Sequence, residues 1–218
     1  MNRAYRDQLR NEFDRQVDTL LQKGYPDIAG MTANRFTEQI LPLRLRIDAL
    51  ATLDPKEGNR HIPFVIVIKN EMVPAESAMP LVVVKGNGGF VDMHPVESNS
   101  FRPISSLQVP DGAAYLLVDI DTGQGTLNVT PYEALKTLQR EARSPLTIDE
   151  GVALVTHFPQ VLEDRMDFNC FSMLGSRRDD QRVPAMWISS KRARLGWCWD
   201  NNPHSWLGSA SCDRRIES

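Results

Sequence analysis

Thr147-Ile148-Asp149-Glu150-Gly151-Val152-Ala153-Leu154-Val155-Thr156-His157 reads as a helix whose start is written into the sequence. Thr147 offers a capping hydroxyl, and Glu150, three residues on, can reach back to the cap, satisfying amides that no helical carbonyl reaches. Thr130-Pro131-Tyr132-Glu133 opens with the same chemistry, so helices are predicted to begin at Thr130 and at Thr147. The second ends near His157, because Pro159 disfavours helical geometry at Phe158 and restarts a short turn through Leu162. Strand-like sequence lies on both sides of this pair, and that order decides the fold class.

Upstream, Phe64-Val65-Ile66-Val67-Ile68 is a β-branched run of strand length with no polar face, as for a strand covered on both sides. Residues 81–84 and 90–92 read as strands around the glycine turn Lys85-Gly86-Asn87-Gly88-Gly89, and residues 115–120 and 127–129 as two more. Further upstream, Leu9, Phe13, Val17, Leu20 and Leu21 form the stripe of an amphipathic helix ended by Gly24 and Pro26. A second helical stretch runs from Thr32 through Ile40, with a kink or restart at Pro42. Asp54, Pro55, Gly58 and Asn59 mark a loop. Downstream, residues 168–174, 184–189 and 193–199 read as strands. The expected architecture is α+β, a mainly antiparallel sheet with an N-terminal helical segment (residues 1–55) and two central helices, residues 60–218 forming the α+β part of one compact unit.

Composition narrows the function classes. An apolar share of 41% in 218 residues suits a globular chain with its own core. The run at residues 64–68 is far shorter than the ~18 residues of a membrane span, and the first twenty residues mix arginines with acids, unlike a secretory or transit signal. The expectation is a cytoplasmic protein with no membrane partner. Residues 61–175 carry 7 basic against 14 acidic groups, which argues against nucleic acid, whose phosphates are read by Lys and Arg. Cys170, Cys198 and Cys212, an odd count, are expected to be reduced.

Chemistry-bearing residue types concentrate near the C-terminus. Trp187, Trp197, Trp199 and Trp206 lie there with Asp200, His204 and two cysteines. On a strand Trp197 and Trp199 share a face and Cys198 takes the other. The expected site is a small-molecule pocket with Trp197, Trp199, Trp206 and Asp200 as ligand-binding residues, and with His204, Cys198 and His157 as candidate catalytic residues. Asp200 would set the His204 tautomer, and Trp206 would wall the ring. His157 stands in a helix's last turn, where the dipole favours a cation; His61 and His94 offer less. Asp119-Ile120-Asp121 has the spacing of a phosphatase nucleophile strand, but the element order is wrong for that fold, and a strand ending in a turn explains it better. The run Arg177-Arg178-Asp179-Asp180-Gln181-Arg182 is most simply a solvated hairpin tip.

Leu154-Val155-Thr156-His157-Phe158-Pro159, Leu195-Gly196-Trp197-Cys198-Trp199, Asn202-Pro203-His204 and Leu207-Gly208-Ser209-Ala210-Ser211-Cys212 resemble an uncharacterised family of actinobacterial proteins. The likeness, with residues 117–123 and 145–151, covers about the C-terminal half. It implies a bacterial cytoplasmic protein, and no catalytic residue or cofactor is carried over. The alternative to a small-molecule protein is a non-enzymatic interaction module, contacting a partner or a second copy through its N-terminal helices and stapled by a Cys170, Cys198, His204 and Cys212 zinc site. A pocket beside Trp199 and His204 would favour the first, and an exposed apolar stripe on the first helix the second.

Overall fold

The computed structural model describes residues 3–50, 62–164 and 166–218; the loop expected at Asp54, Pro55, Gly58 and Asn59, and His61, lie outside them. The first apolar stripe forms the helix Arg3–Gln22, which buries Leu9, Phe13, Val17 and Leu20. Gly24 then turns the chain in left-handed geometry, φ 74°, a conformation glycine adopts without steric cost. Thr32 caps Ala33–Ile40 by accepting from the Arg35 amide. Pro42 sits in the tight turn Leu41–Leu43, and Arg44–Leu50 follows as the restart.

The β-branched run becomes the strand Ile62–Ile68, antiparallel to Ala114–Ile120 with Phe64 opposite Val118 and Ile66 opposite Leu116. The C-terminal strand Arg214–Ile216 pairs with the far edge of Ala114–Ile120. No strand covers the outer edge of Ile62–Ile68 among the described residues. Side chains close it instead: Gln16, fully buried, donates to Phe64 O at 3.0 Å and accepts from Ile66 N at 2.7 Å, while His157 Nε2 lies 3.0 Å from Ile66 O. Two helices thereby supply the partners that a neighbouring strand would have given.

The second sheet has the order Leu207–Ser209, Cys170–Ser172, Arg182–Ser189, Arg192–Trp199, Phe90–Val91. Its central pairs are antiparallel and its two outer strands join parallel. Leu207–Ser209 approaches the turn after Ala114–Ile120 at two glycines: a Cβ on Gly208 would fall 2.3 Å from Gly123 O. Ile148–His157 lies almost wholly inside, against Ile62–Ile68 and the N-terminal helix, which explains why its sequence is apolar nearly all round. Phe13, Phe36, Ile40 and Ile47 share one core cluster with residues 64–68, and Pro131–Arg140 covers a smaller one with Leu174 and Val183.

The chain is α+β with mostly antiparallel sheets. Three expectations are corrected. Residues 127–129 form no strand, because Gly123 and Asn128 take left-handed geometry and the Asn128 amide turns to His204 O. The strand expected at residues 81–84 shrinks to Val83–Val84, since Pro80 lies in the tight turn Met79–Leu81 before it. The mid-chain strands also divide among three sheets instead of forming one: Ile62–Ile68 pairs with Ala114–Ile120, Val83–Val84 with Asn87–Gly88, and Phe90–Val91 joins the second sheet.

Candidate functional site

The hairpin register sorts the C-terminal residues by face. Arg182 lies opposite Trp199 and Pro184 opposite Trp197, while Val183 faces Cys198 and Trp187 faces Arg194. On the first face the Arg182 guanidinium sits 4.6 Å from the Trp197 ring and 5.0 Å from that of Trp199. On the other face Trp187 covers Gly196, where a Cβ would come within 2.4 Å of the ring. Trp206 meets Trp187 edge-on at 6.3 Å, and His204 lies 5.2 Å from Trp206. The aromatics predicted to share one pocket are thus divided between the faces of a sheet, Trp197 with Trp199 and Trp187 with Trp206.

Two of the polar groups expected at this site are already engaged by the protein. Trp197 Nε1 donates to Met93 O at 3.0 Å, and Asp200 Oδ1 accepts from Arg177 at 3.0 Å. The expected Asp200 contact with His204 gives way to that ion pair, and Asn202 Nδ2 is the neighbour of His204 Nε2 at 3.5 Å. The arginine run is likewise no free solvated tip: Arg178 and Arg182 both bind Asp180. Cys198 packs against the small cluster under Pro131–Arg140, and burial pushes its thiol up to about 12. His157 belongs to the other sheet, on Ile66, and the structure does not bring it together with Cys198 or His204. Burial pushes its pKa down to about 3, with Arg15 and Lys23 adding to the effect, so it is a neutral ring and not the helix-end cation. The zinc alternative is also corrected: among the described residues no group of three or more His, Cys, Asp or Glu is placed to hold a metal ion.

A cleft of about 530 Å³ opens instead at the start of Ile148–His157, lined by Lys69, Asn70, Ser98, Arg102, Asp149 and Ser176 among others. Its walls are the turn after Ile62–Ile68 and the segment from Ser98 through Arg102–Pro103, the latter pairing with Ser176–Arg177. Its floor is the capped helix end. Thr147 accepts from the Glu150 amide, and the Glu150 carboxylate accepts from the Thr147 amide, the reciprocal box expected from sequence. Thr130 accepts from the Glu133 amide, but the Glu133 side chain goes to Lys136, so that box is half made. Glu150 is fully buried and also accepts from Tyr115 Oη at 2.8 Å and from Arg215 at 2.5 and 2.8 Å. This network ties the floor to the C-terminal strand, and burial with the Glu150 charge raises the Tyr115 pKa.

Asp149, beside it, is the chemically distinctive group. Oδ2 accepts from the Asn70 amide at 3.1 Å. Burial pushes its carboxyl up to about 6; the Asn70 hydrogen bond and Lys69 oppose the shift, and Glu71 and Glu150 add to it. Behind Asp149 a narrow gap of about 10 Å³, room for one water molecule, is lined by Val152, Ala153, Thr156, His157 and Tyr25. Sequence reasoning took Asp149 only as part of a cap. The visible signal was a second acid in the first turn that the capping box does not use.

A family model described as a family of unknown function, DUF5701, matches residues 19–218. The chain belongs to this family. The DUF5701 match takes in the helices Ala33–Ile40 and Arg44–Leu50 and both sheets, well beyond the C-terminal half. Neither the curated proteins nor the solved structures gave a match. No helix among the described residues is long and apolar enough to cross a membrane.

Proposed function

We propose that the protein binds a small polar molecule in the cleft at the start of Ile148–His157, with Asp149 as the titrating group that faces it. The observation that carries this is the position of Asp149, a largely buried carboxyl at the wall of a roughly 530 Å³ cleft, within the size range of small-molecule sites. Lys69 and Arg102 bring positive charge to the same cleft, and Ser98, Thr147 and Ser176 bring hydroxyls. A carboxyl that titrates near pH 6 is suited to exchanging a proton with what it binds. The small molecule expected from sequence is kept, and the seat proposed for it is this cleft in place of Trp197, Trp199, Trp206 and His204, whose rings are divided between two faces of a sheet.

Native mass spectrometry of the purified chain and a thermal-shift screen of small polar metabolites test it. Asp149→Asn and Lys69→Ala should abolish the shift given by any hit, while Trp199→Ala and His204→Gln should retain it. The reverse pattern would return the site to the C-terminal segment.

A protein contact through the N-terminal helical segment is the second reading. The stripe of the first helix is buried, but Leu41 and Leu45, one helical turn apart, are 47% and 82% exposed. Sedimentation of Leu45→Glu against the wild type tests this contact, with dissociation of an oligomer as the supporting result.

A further inference from the structure

The gap between Ile148–His157 and Ile62–Ile68 runs from Asp149 to His157 along one helix face, with Ala75, Ala78, Val152 and Ala153 in its walls. At its inner end polar groups meet an otherwise apolar lining. Tyr25 Oη and Thr156 Oγ1 lie 3.0 Å apart. The His157 ring is beside them in the same lining, wholly buried, with Nε2 on Ile66 O. A carbonyl oxygen only accepts, so the ring proton is on Nε2 and Nδ1 is a bare acceptor. That nitrogen has no hydrogen-bond partner among the described residues, and a buried polar atom without one is rare.

The hydroxyl pair has the opposite imbalance. Two hydroxyls that share one hydrogen bond keep one proton to give. The three residues that carry this surplus donor and surplus acceptor all line a gap with room for a single water molecule. A cation there would meet the positive charge of Arg15 and Lys23, which act on the His157 ring, and the surplus hydroxyl proton, with Asp149 two helical turns away. An anion would meet the lone pair of Nδ1. The complementary occupant is neutral.

We propose that the inner end of this gap is a binding site for one neutral group that both donates and accepts a hydrogen bond, either an ordered water or the hydroxyl at the tip of a slender ligand. His157 Nδ1 accepts from it, and the Tyr25–Thr156 pair donates to it. The site stands independently of the outer cleft, since its polar groups lie at the far end of the helix face from Asp149.

A crystal structure of the full chain at a resolution that shows waters, paired with ¹⁵N NMR of the imidazoles, tests it. The expected result is one oxygen within hydrogen-bonding distance of His157 Nδ1 and of a Tyr25 or Thr156 hydroxyl. The Nδ1 resonance should be that of a hydrogen-bonded acceptor and should move toward the bare-nitrogen position in the double variant Thr156→Val with Tyr25→Phe, which removes both hydroxyls. An empty gap, or an Nδ1 bonded to a protein group, overturns the proposal, and the wild-type measurement decides this even if the double variant does not fold. Crystals soaked in methanol separate the two sources: a methanol oxygen at the same point supports entry by ligand hydroxyls, and an unchanged water supports a water site alone.

Discussion

Asp149→Asn should stabilise the protein at pH 7.5 and leave it unchanged near pH 4. The folded chain holds this carboxyl at about 6 against 3.8 for an ordinary aspartate, chiefly because it is buried. Between those values the native state keeps a proton that the unfolded chain has released, so stability falls as pH rises through this window and stays lower above it. A shift of about two pH units corresponds to roughly 2–3 kcal/mol. Asparagine retains an oxygen to accept the Asn70 amide and loses only the carboxylate's favourable place near the helix N-terminus, worth about 0.5 kcal/mol. The net gain is then about 2 kcal/mol, or roughly 4–8 °C in Tm for a chain of this size. Thermal melts of wild type and variant from pH 4 to 8, each checked for two-state behaviour, measure it. The difference in Tm should open between pH 4 and 6 and then level off. A difference independent of pH, or a variant less stable than wild type at pH 7.5, would refute the reasoning, because the carboxylate would then be ionised without penalty beside Lys69.

Gln16→Leu should destabilise by about 2–4 kcal/mol, since it strips partners from two buried backbone groups, Phe64 O and Ile66 N; a loss below about 1 kcal/mol in urea unfolding would mean that the edge finds other partners. Thr147→Ala should cost more than Thr130→Ala, about 1–2 against 0.5–1 kcal/mol, because the first breaks a buried reciprocal box and the second a half-made exposed one. Equal losses in paired melts would count against this ranking.

The parts of the fold legible in the sequence are those fixed by neighbours along the chain. Both helix starts followed from a threonine and a glutamate three residues apart, and Ile62–Ile68 followed from an unbroken β-branched run. Leu207–Ser209, Ser211–Cys212 and Arg214–Ile216 went unseen because each is two or three residues long and is held by partners 35 or more positions away, such as Cys170, Pro145 and Val118. The cleft is built from separate segments around residues 69–71, 98–103, 147–149 and 176, and the one motif among them, the capping box at Thr147, marks a helix start and not a site.

Residue type is visible in a sequence and burial is not, and this asymmetry drew attention to the tryptophans. Their closeness along the chain suggested one pocket, yet a strand sends successive side chains to opposite faces, and the hairpin splits Trp187 from Trp197. The more informative anomaly was a polar residue on an apolar stripe. Gln16 stands with Phe13, Val17 and Leu20 on the buried face of the first helix, and an amide placed there must find both a donor and an acceptor inside the core. Only backbone left open by a sheet edge, or another buried polar side chain, can supply them. The sequence therefore contained, at Gln16, a pointer to the uncovered edge of Ile62–Ile68. His157 answers to the same rule from the opposite side: its Nε2 closes that edge at Ile66, and its Nδ1 is the acceptor left over. The physical basis of the proposed inner site is thus the geometry that lets two helices stand in for a missing strand.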